Sequence, residues 1–305
     1  MTVLTENKNK VNSDLLQHDG IKNLISRSLN YLSAGYPVHF TGPPGVGKTT
    51  LALLLAKKRK RPVMLMHGNR ELSNADLIGA YTGYTTQKVV DNFIRSVYKK
   101  EENVTETWNN GRLLDAVKNG YTLIYDEFTR SEPSTNNIFL SILEEGILPL
   151  YGTKQKDPFM KVHPKFTVIF TSNPSEYAGV YETQDALLDR LITIPLDYTD
   201  KDTEAAIVSS KTGVDSNQAK AITSFVAALR EKCSENSNNG PSLRASIMIA
   251  KLANEADIPI NGKDEDFQRL CLDILFAPVA KCMDEKDSSK LRELIISECK
   301  KAVKE

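Results

Sequence analysis

The sequence is poor in several features that would name a function class at once. Its 305 residues hold one tryptophan, four histidines and four cysteines. The cysteines (Cys233, Cys271, Cys282, Cys299) form no CxxC pair and join no Cys/His cluster, and His18, His39, His67 and His163 have no metal-ligand spacing. That speaks against a zinc site or a disulfide framework, so four reduced thiols are expected. An excess of one charge is missing too: 39 Lys+Arg balance 39 Asp+Glu. Dedicated nucleic-acid binders are usually strongly basic, so nucleic acid is not the expected partner. No hydrophobic run reaches the roughly 18 residues that span a bilayer. The opening MTVLTENKNKVNSD lacks the apolar stretch of a signal peptide. A membrane location or export is therefore not expected, and the cytoplasm is.

What is present is an ordinary globular composition, 40% hydrophobic and 26% charged. The length suggests about two domains. Residues 1–14 are polar. Apolar residues then recur at helical spacing from Leu15 to Leu32. Short β-prone runs follow at Pro37–Thr41, Val63–Met66, Tyr121–Tyr125, Phe166–Thr171 and Leu191–Pro195, with a helix expected over Thr50–Arg61. Strand, turn, helix, strand is a βαβ order, so the expected fold is α/β with a parallel sheet flanked by helices. Past Asp200 the strand signals stop. Helices are expected at Thr203–Lys211, Asn217–Cys233, Leu243–Glu255, Asp264–Lys281 and Ser288–Val303, with the polar loop SENSNNG after the second. The expected division is an α/β nucleotide-binding domain over 15–198 and a smaller all-helical domain over 199–305.

The run Gly42-Pro43-Pro44-Gly45-Val46-Gly47-Lys48-Thr49 fits G-x-x-x-x-G-K-[ST] in full, between a strand and a helix. Glycines there let backbone N–H groups turn inward around a phosphate, and the helix adds its positive end. Lys48 reaches the β/γ-phosphates, the Thr49 hydroxyl ligates Mg²⁺, and Thr50 continues the binding stretch. ATP and Mg²⁺ are the implied cofactors. A second strand, Tyr121–Tyr125, ends in Asp126-Glu127. A strand end puts Asp126 by the metal, and Glu127 can take a proton from the attacking water, which points to hydrolysis. A third strand delivers Asn173 followed by Pro174, where an amide can help position that water.

In that order the three elements resemble the AAA+ ATPases. The blocks DEFTRS at Asp126–Ser131, IFLSILEE at Ile138–Glu145, TSNP at Thr171–Pro174 and ALLDR at Ala186–Arg190 resemble its MoxR-type branch. Closer still, LIGAY at Leu77–Tyr81, VVDNF at Val89–Phe93, KVHP at Lys161–Pro164 and the run from Asn173 to Ile192 resemble the gas vesicle protein N family. The likeness spans about residues 35–200 well and the helical tail weakly. It implies an Mg²⁺-dependent ATPase forming a ring, a homo-hexamer, that remodels or assembles protein partners in gas vesicle formation and works in the cytoplasm or on the vesicle. It implies that Arg190 is an arginine finger inserted into the neighbouring subunit's site, and that Arg244, in Gly240-Pro241-Ser242-Leu243-Arg244, senses the γ-phosphate. Arg130 is a family position whose role stays open. Two alternatives are a MoxR-type chaperone that activates a metalloenzyme complex and a vesicle protein whose nucleotide only orders its fold. The MoxR-type pattern also implies two insertions. Asn74–Asn92 would interrupt the second helix, with Tyr81 and Tyr84 either contacting substrate or packing under their own loop. Leu148–His163 would form a hairpin with YGTKQKDPF at its tip. The basic run Lys57–Arg61 reads as a solvated helix end, where cations complement the helix dipole, and no role is assigned to Trp108.

Overall fold

The computed structural model describes residues 19–91, 99–150, 157–173, 180–182, 184–234, 240–283 and 287–303. The polar segment 1–14, the tip of the second insertion, the SEYAGV block and the SENSNNG loop lie wholly or largely outside them.

Five strands make one parallel sheet: β1 (Val38–Thr41), β2 (Val63–His67), β5 (Thr122–Asp126), β8 (Thr167–Ser172) and β9 (Ile192–Pro195), in the order β2-β5-β8-β1-β9. Every residue of β5 and β8 is buried, which fits strands covered on both faces. On one face α1 (Asp19–Ser33) and α2 (Lys48–Lys58) bury Ile25, Leu32, Leu51, Leu54 and Leu55 against Val38, Phe40, Ile124, Ile169 and Ile194. On the other, Tyr125, Phe128, Phe139 and Phe170 pack as a ring cluster with centroids 5.1 to 6.1 Å apart. Tyr125 is also tied through its hydroxyl to Ser131 at 2.7 Å and Asn136 at 3.0 Å. This cluster anchors the end of β5, and with it Asp126 and Glu127.

The first insertion differs from expectation. After a single-turn helix α3 (Asn74–Ile78), the chain forms a long antiparallel ribbon, β3 (Gly79–Asp91) with β4 (Lys99–Asn110). The insertion is therefore larger than Asn74–Asn92 and is β in character. Its Thr-, Val- and Tyr-rich runs favour a pleated ribbon. Trp108 belongs to β4, where its ring meets Tyr81 edge-on with centroids 4.9 Å apart. That packing is the blander of the two fates open to Tyr81; the Tyr84 side chain lies outside what is described. The helix α4 (Arg112–Asn119) returns the chain to β5. The turns α5 (Pro133–Asn136) and α6 (Ile138–Glu144) lead to a second antiparallel pair, β6 (Ile147–Pro149) with β7 (Phe159–Lys161), as expected for the second insertion.

A short helix α7 (Asp185–Leu188) precedes β9. Beyond it, the chain is helical: α8 (Lys201–Thr212), α9 (Ser216–Ser234), α10 (Leu243–Glu255), α11 (Glu265–Met283) and α12 (Ser288–Ala302). They enclose a core of their own around Phe225, Leu229, Ile249, Phe267, Leu275 and Ile295. Here the reading of the cysteines is corrected. Cys233, at the end of α9, and Cys282, at the end of α11, form a disulfide with Cα atoms 5.4 Å apart. Helices that end side by side bring together residues 49 apart in sequence, which no local spacing announces. Cys271 and Cys299 stay free and buried.

Candidate active site

β1 ends at Thr41 and the chain turns at once into the glycine-rich loop. Gly45 and Gly47 take the left-handed backbone (φ 82° and 92°) that aims consecutive amides into the turn. Gly47, at the head of α2, has no side chain to cap the helix, whose positive end faces the loop. The Lys48 ammonium lies back on its own loop, donating to the carbonyls of Gly42 and Pro43 at 2.8 Å each.

Opposite the loop stand the ends of β5 and β8. Thr49 Oγ1 donates to Asp126 Oδ1 at 2.7 Å, and Thr171 Oγ1 donates to the same oxygen at 2.5 Å. Thr171 Oγ1 in turn accepts from the Glu127 amide at 2.9 Å. One hydroxyl of β8 thus holds both the Asp126 carboxylate and the Glu127 backbone amide. The other Asp126 oxygen lies 3.4 Å from His67 Nδ1, on the neighbouring strand end. Glu127 takes a left-handed backbone (φ 52°) at the head of the turn Phe128–Arg130, and its Oε2 pairs with Arg130 Nε at 2.9 Å. Asn173 is buried at the end of β8.

Asp126, Glu127 and Asn173 line one cavity of about 310 Å³, together with Pro44 to Leu51, Thr171 and Arg130, whereas His67 stands behind Asp126 and does not. Its far end is apolar, closed by Ile21 and Leu24 of α1 and by Ile207 and Ile247 of the helical region. Lys211 and Arg244 enter from the same side. Burial, and then the charge of Arg244, lower the pKa of Lys211. The cavity lies at the carboxyl ends of parallel strands, where open α/β sheets bind ligands. Gly42 and Pro43 do not line it and bear on it only through the carbonyls that hold Lys48. Arg190 does not line this cavity. It sits at the surface, pairing with Glu144 at 2.5 Å and donating to the Ala186 carbonyl.

Sequence reasoning missed His67, Tyr198, Glu204 and Lys211, all at or around the cavity. Only His67 carried a local signal, as the last residue of a strand beside the acid-bearing one. The basic run is a solvated helix end only in part: Lys57, Lys58 and Lys60 are exposed, whereas Arg59 and Arg61 are half-buried and tie to other elements. Arg59 donates to Thr122 and Arg61 to the carbonyls of Gly120 and Asn119. Among the described residues no helix is long and apolar enough to cross a membrane, and no group of three or more His, Cys, Asp or Glu could hold a metal.

Residues 37–191 match the AAA domain (dynein-related subfamily). A gas vesicle ATPase GvpN of Ancylobacter aquaticus is 45% identical over 263 residues, covering 86% of this chain and 73% of its own length. The chain belongs to the gas vesicle ATPase GvpN family. As a member it is an ATPase, and its parallel sheet with a C-terminal helical region is the AAA architecture. GvpN1 of Halobacterium salinarum is 40% identical over 92% of this chain and 79% of its own length. The MoxR-type likeness has its counterpart in the protein CbbQ of Hydrogenophilus thermoluteolus, 22% identical over 82% of this chain and 87% of its own. A structure of a RuvB point mutant from Thermotoga maritima aligns with a TM-score of 0.50 at 16% identity, over 87% of this chain and 69% of that one, a likeness of fold alone.

Proposed function

We propose that this ATPase binds ATP with Mg²⁺ in the cavity described, works as a homo-hexameric ring, and remodels or assembles protein partners in gas vesicle formation. The observation that carries the reading is the hydrogen-bonded line from Thr49 through Asp126 and Thr171 to the Glu127 amide, facing the Lys48 loop. The residues present fit both groups. The loop from Gly42 to Thr50 offers a glycine-rich turn at a helix start and an ammonium, both suited to a polyphosphate. Thr49 and Asp126 already share a hydrogen bond at 2.7 Å, a hydroxyl and a carboxylate of the kind that hold Mg²⁺ beside phosphate. When bound, Mg²⁺ would neutralise charge on the β- and γ-oxygens.

The chain's own residues supply the rest. Lys48 leaves the carbonyls of Gly42 and Pro43 for the phosphates. Glu127 accepts a proton from the attacking water once its pairing with Arg130 loosens, and Asn173 helps orient that water. Arg244 reads the γ-phosphate from the helical side. Arg190, at the surface and outside its own cavity, acts on the neighbouring subunit. A division near residue 198 makes the helical region a lid that shifts against the α/β part and moves the two insertions.

Steady-state ATPase measurements on Glu127→Gln and Arg190→Ala test the mechanism. Both are expected to lose most turnover while still binding nucleotide; wild-type turnover in both, under conditions where the wild type oligomerises, rejects it. Deleting the gene and scoring vesicle formation, with rescue by Lys48→Ala, tests the process. Rescue by that variant would favour a vesicle protein whose nucleotide only orders its fold.

A further inference from the structure

β9 leaves the sheet into a connection that crosses the base of the phosphate loop. The Leu196 amide donates to the Thr41 carbonyl at 2.7 Å, and a Cβ on Gly42 would overlap the Leu196 carbonyl oxygen. Two residues on, Tyr198 reaches the crest of the loop, its hydroxyl donating to the Pro44 carbonyl at 3.3 Å. The Arg230 guanidinium covers the Tyr198 ring at 3.8 Å from its centroid. That guanidinium also donates to both carboxylate oxygens of Glu204, at 2.9 and 3.3 Å, and through Nε to the Pro241 carbonyl at 3.0 Å. The Arg230 and Glu204 side chains are 13% and 2% exposed.

One planar fork from α9 therefore joins the connection, α8 and the turn that opens α10. That turn carries two residues that meet the nucleotide cavity. Ser242 caps α10 and packs where Gly45 has no side chain, since a Cβ on Gly45 would overlap it. Arg244 lines the cavity itself. A lysine could neutralise Glu204, but a compact ammonium cannot stack on the ring and bond two further partners at once. The phosphate loop thus touches the Pro241–Arg244 turn by two routes: directly at Ser242, and through Pro44, Tyr198 and Arg230.

We propose that Tyr198 and Arg230 are positioning residues that couple the phosphate loop to the Pro241–Arg244 turn, so that the state of the loop sets where Arg244 stands. The proposal rests on the reading that ATP occupies this cavity with Arg244 near its γ-phosphate. A purely structural role for Arg230 would weaken all nucleotides alike and would do so whether or not Arg244 is present.

The test is a double-mutant cycle read by binding, without turnover. Affinities for ADP and for a fluorescent non-hydrolysable ATP analogue are measured on the full chain for wild type, Arg230→Lys, Tyr198→Phe, Arg244→Ala and the two doubles. Arg230→Lys and Tyr198→Phe are each expected to weaken the triphosphate analogue by about three- to tenfold, the size of coupling usual within one network, and to leave ADP within about twofold. Both effects are expected to vanish in the Arg244→Ala background. Additive losses, or equal losses for ADP and the analogue, overturn the coupling. Should Arg230→Lys fail to fold, Tyr198→Phe, which removes a single hydroxyl, decides by itself. Lys48→Ala separates the two readings: if it binds both nucleotides as wild type does, the cavity assignment fails, whatever the cycle shows.

Discussion

Lys48 and Glu127 separate binding from chemistry. Lys48→Ala removes the one ammonium set within the phosphate loop, and binding of ATP is expected to fall by at least about tenfold in a titration with the fluorescent analogue. Glu127→Gln keeps shape and hydrogen bonding but cannot take a proton. Its kcat is expected to drop by about 10²- to 10⁴-fold, the usual worth of a general base, with affinity nearly unchanged. A different residue adds a pH dependence. His39 lies in central strand β1, bonded through Nε2 to Ser172 Oγ at 2.8 Å and through Nδ1 to Thr193 Oγ1 at 3.1 Å. Burial lowers its pKa from 6.5 to about 4. The unfolded chain therefore takes up a proton below about pH 6.5 that the folded one resists. Stability present above 6.5 is lost as pH falls toward 4, up to about 3 kcal/mol at roughly 1.4 kcal/mol per unit. Melting temperature followed across that window should fall, and His39→Gln should flatten the slope.

Among the elements, β8 does the most to arrange the site. Thr171 shares Asp126 with Thr49 and also accepts from the Glu127 amide, so Thr171→Val would leave that amide N–H without its acceptor. Denaturant melts are expected to show a loss of about 1–3 kcal/mol. Turnover should fall with it, and Thr171→Ser should restore both; an active, stable valine variant would remove Thr171 from this account. The elements themselves were largely legible. Hydrophobic runs located all five sheet strands to within a residue or two, because a parallel strand buried on both faces is a short apolar block. The five C-terminal helices were equally visible from their periodicity. The first insertion was not. A polar ribbon carries little hydrophobic pattern, and its runs of Thr and Val were outweighed by the expectation of a broken helix.

At the scale of the molecule, Arg190 sits away from the cavity of its own chain. If it serves a neighbour, two inactive variants should complement one another. Arg190→Ala keeps an intact cavity but offers no finger, whereas Lys48→Ala offers a finger but binds ATP weakly. Mixed before assembly, they are expected to recover part of the wild-type ATPase rate, read against each variant assembled alone. No recovery in assemblies shown to contain both would place Arg190 outside catalysis in trans. The helical region matters at this scale as well, since its Ile207, Lys211, Arg244 and Ile247 line the same cavity as Lys48, Thr49 and Asp126 of the α/β part.

What the sequence determined by itself was whatever depends on near neighbours along the chain. The loop from Gly42 to Thr49, the acids where β5 ends and the amide after β8 are local patterns, legible because a strand end or helix start favours those residue types. Tertiary structure alone decided what depends on distant segments meeting. Thr171 lies 45 residues from the Asp126 it holds, and Arg230 lies 26 from the Glu204 it pairs with. Cys233 and Cys282 meet only because α9 and α11 end side by side. The balanced charge likewise hid a cavity that Lys48, Lys211 and Arg244 line together. Composition averages over the whole chain, whereas folding collects a few charges at one point.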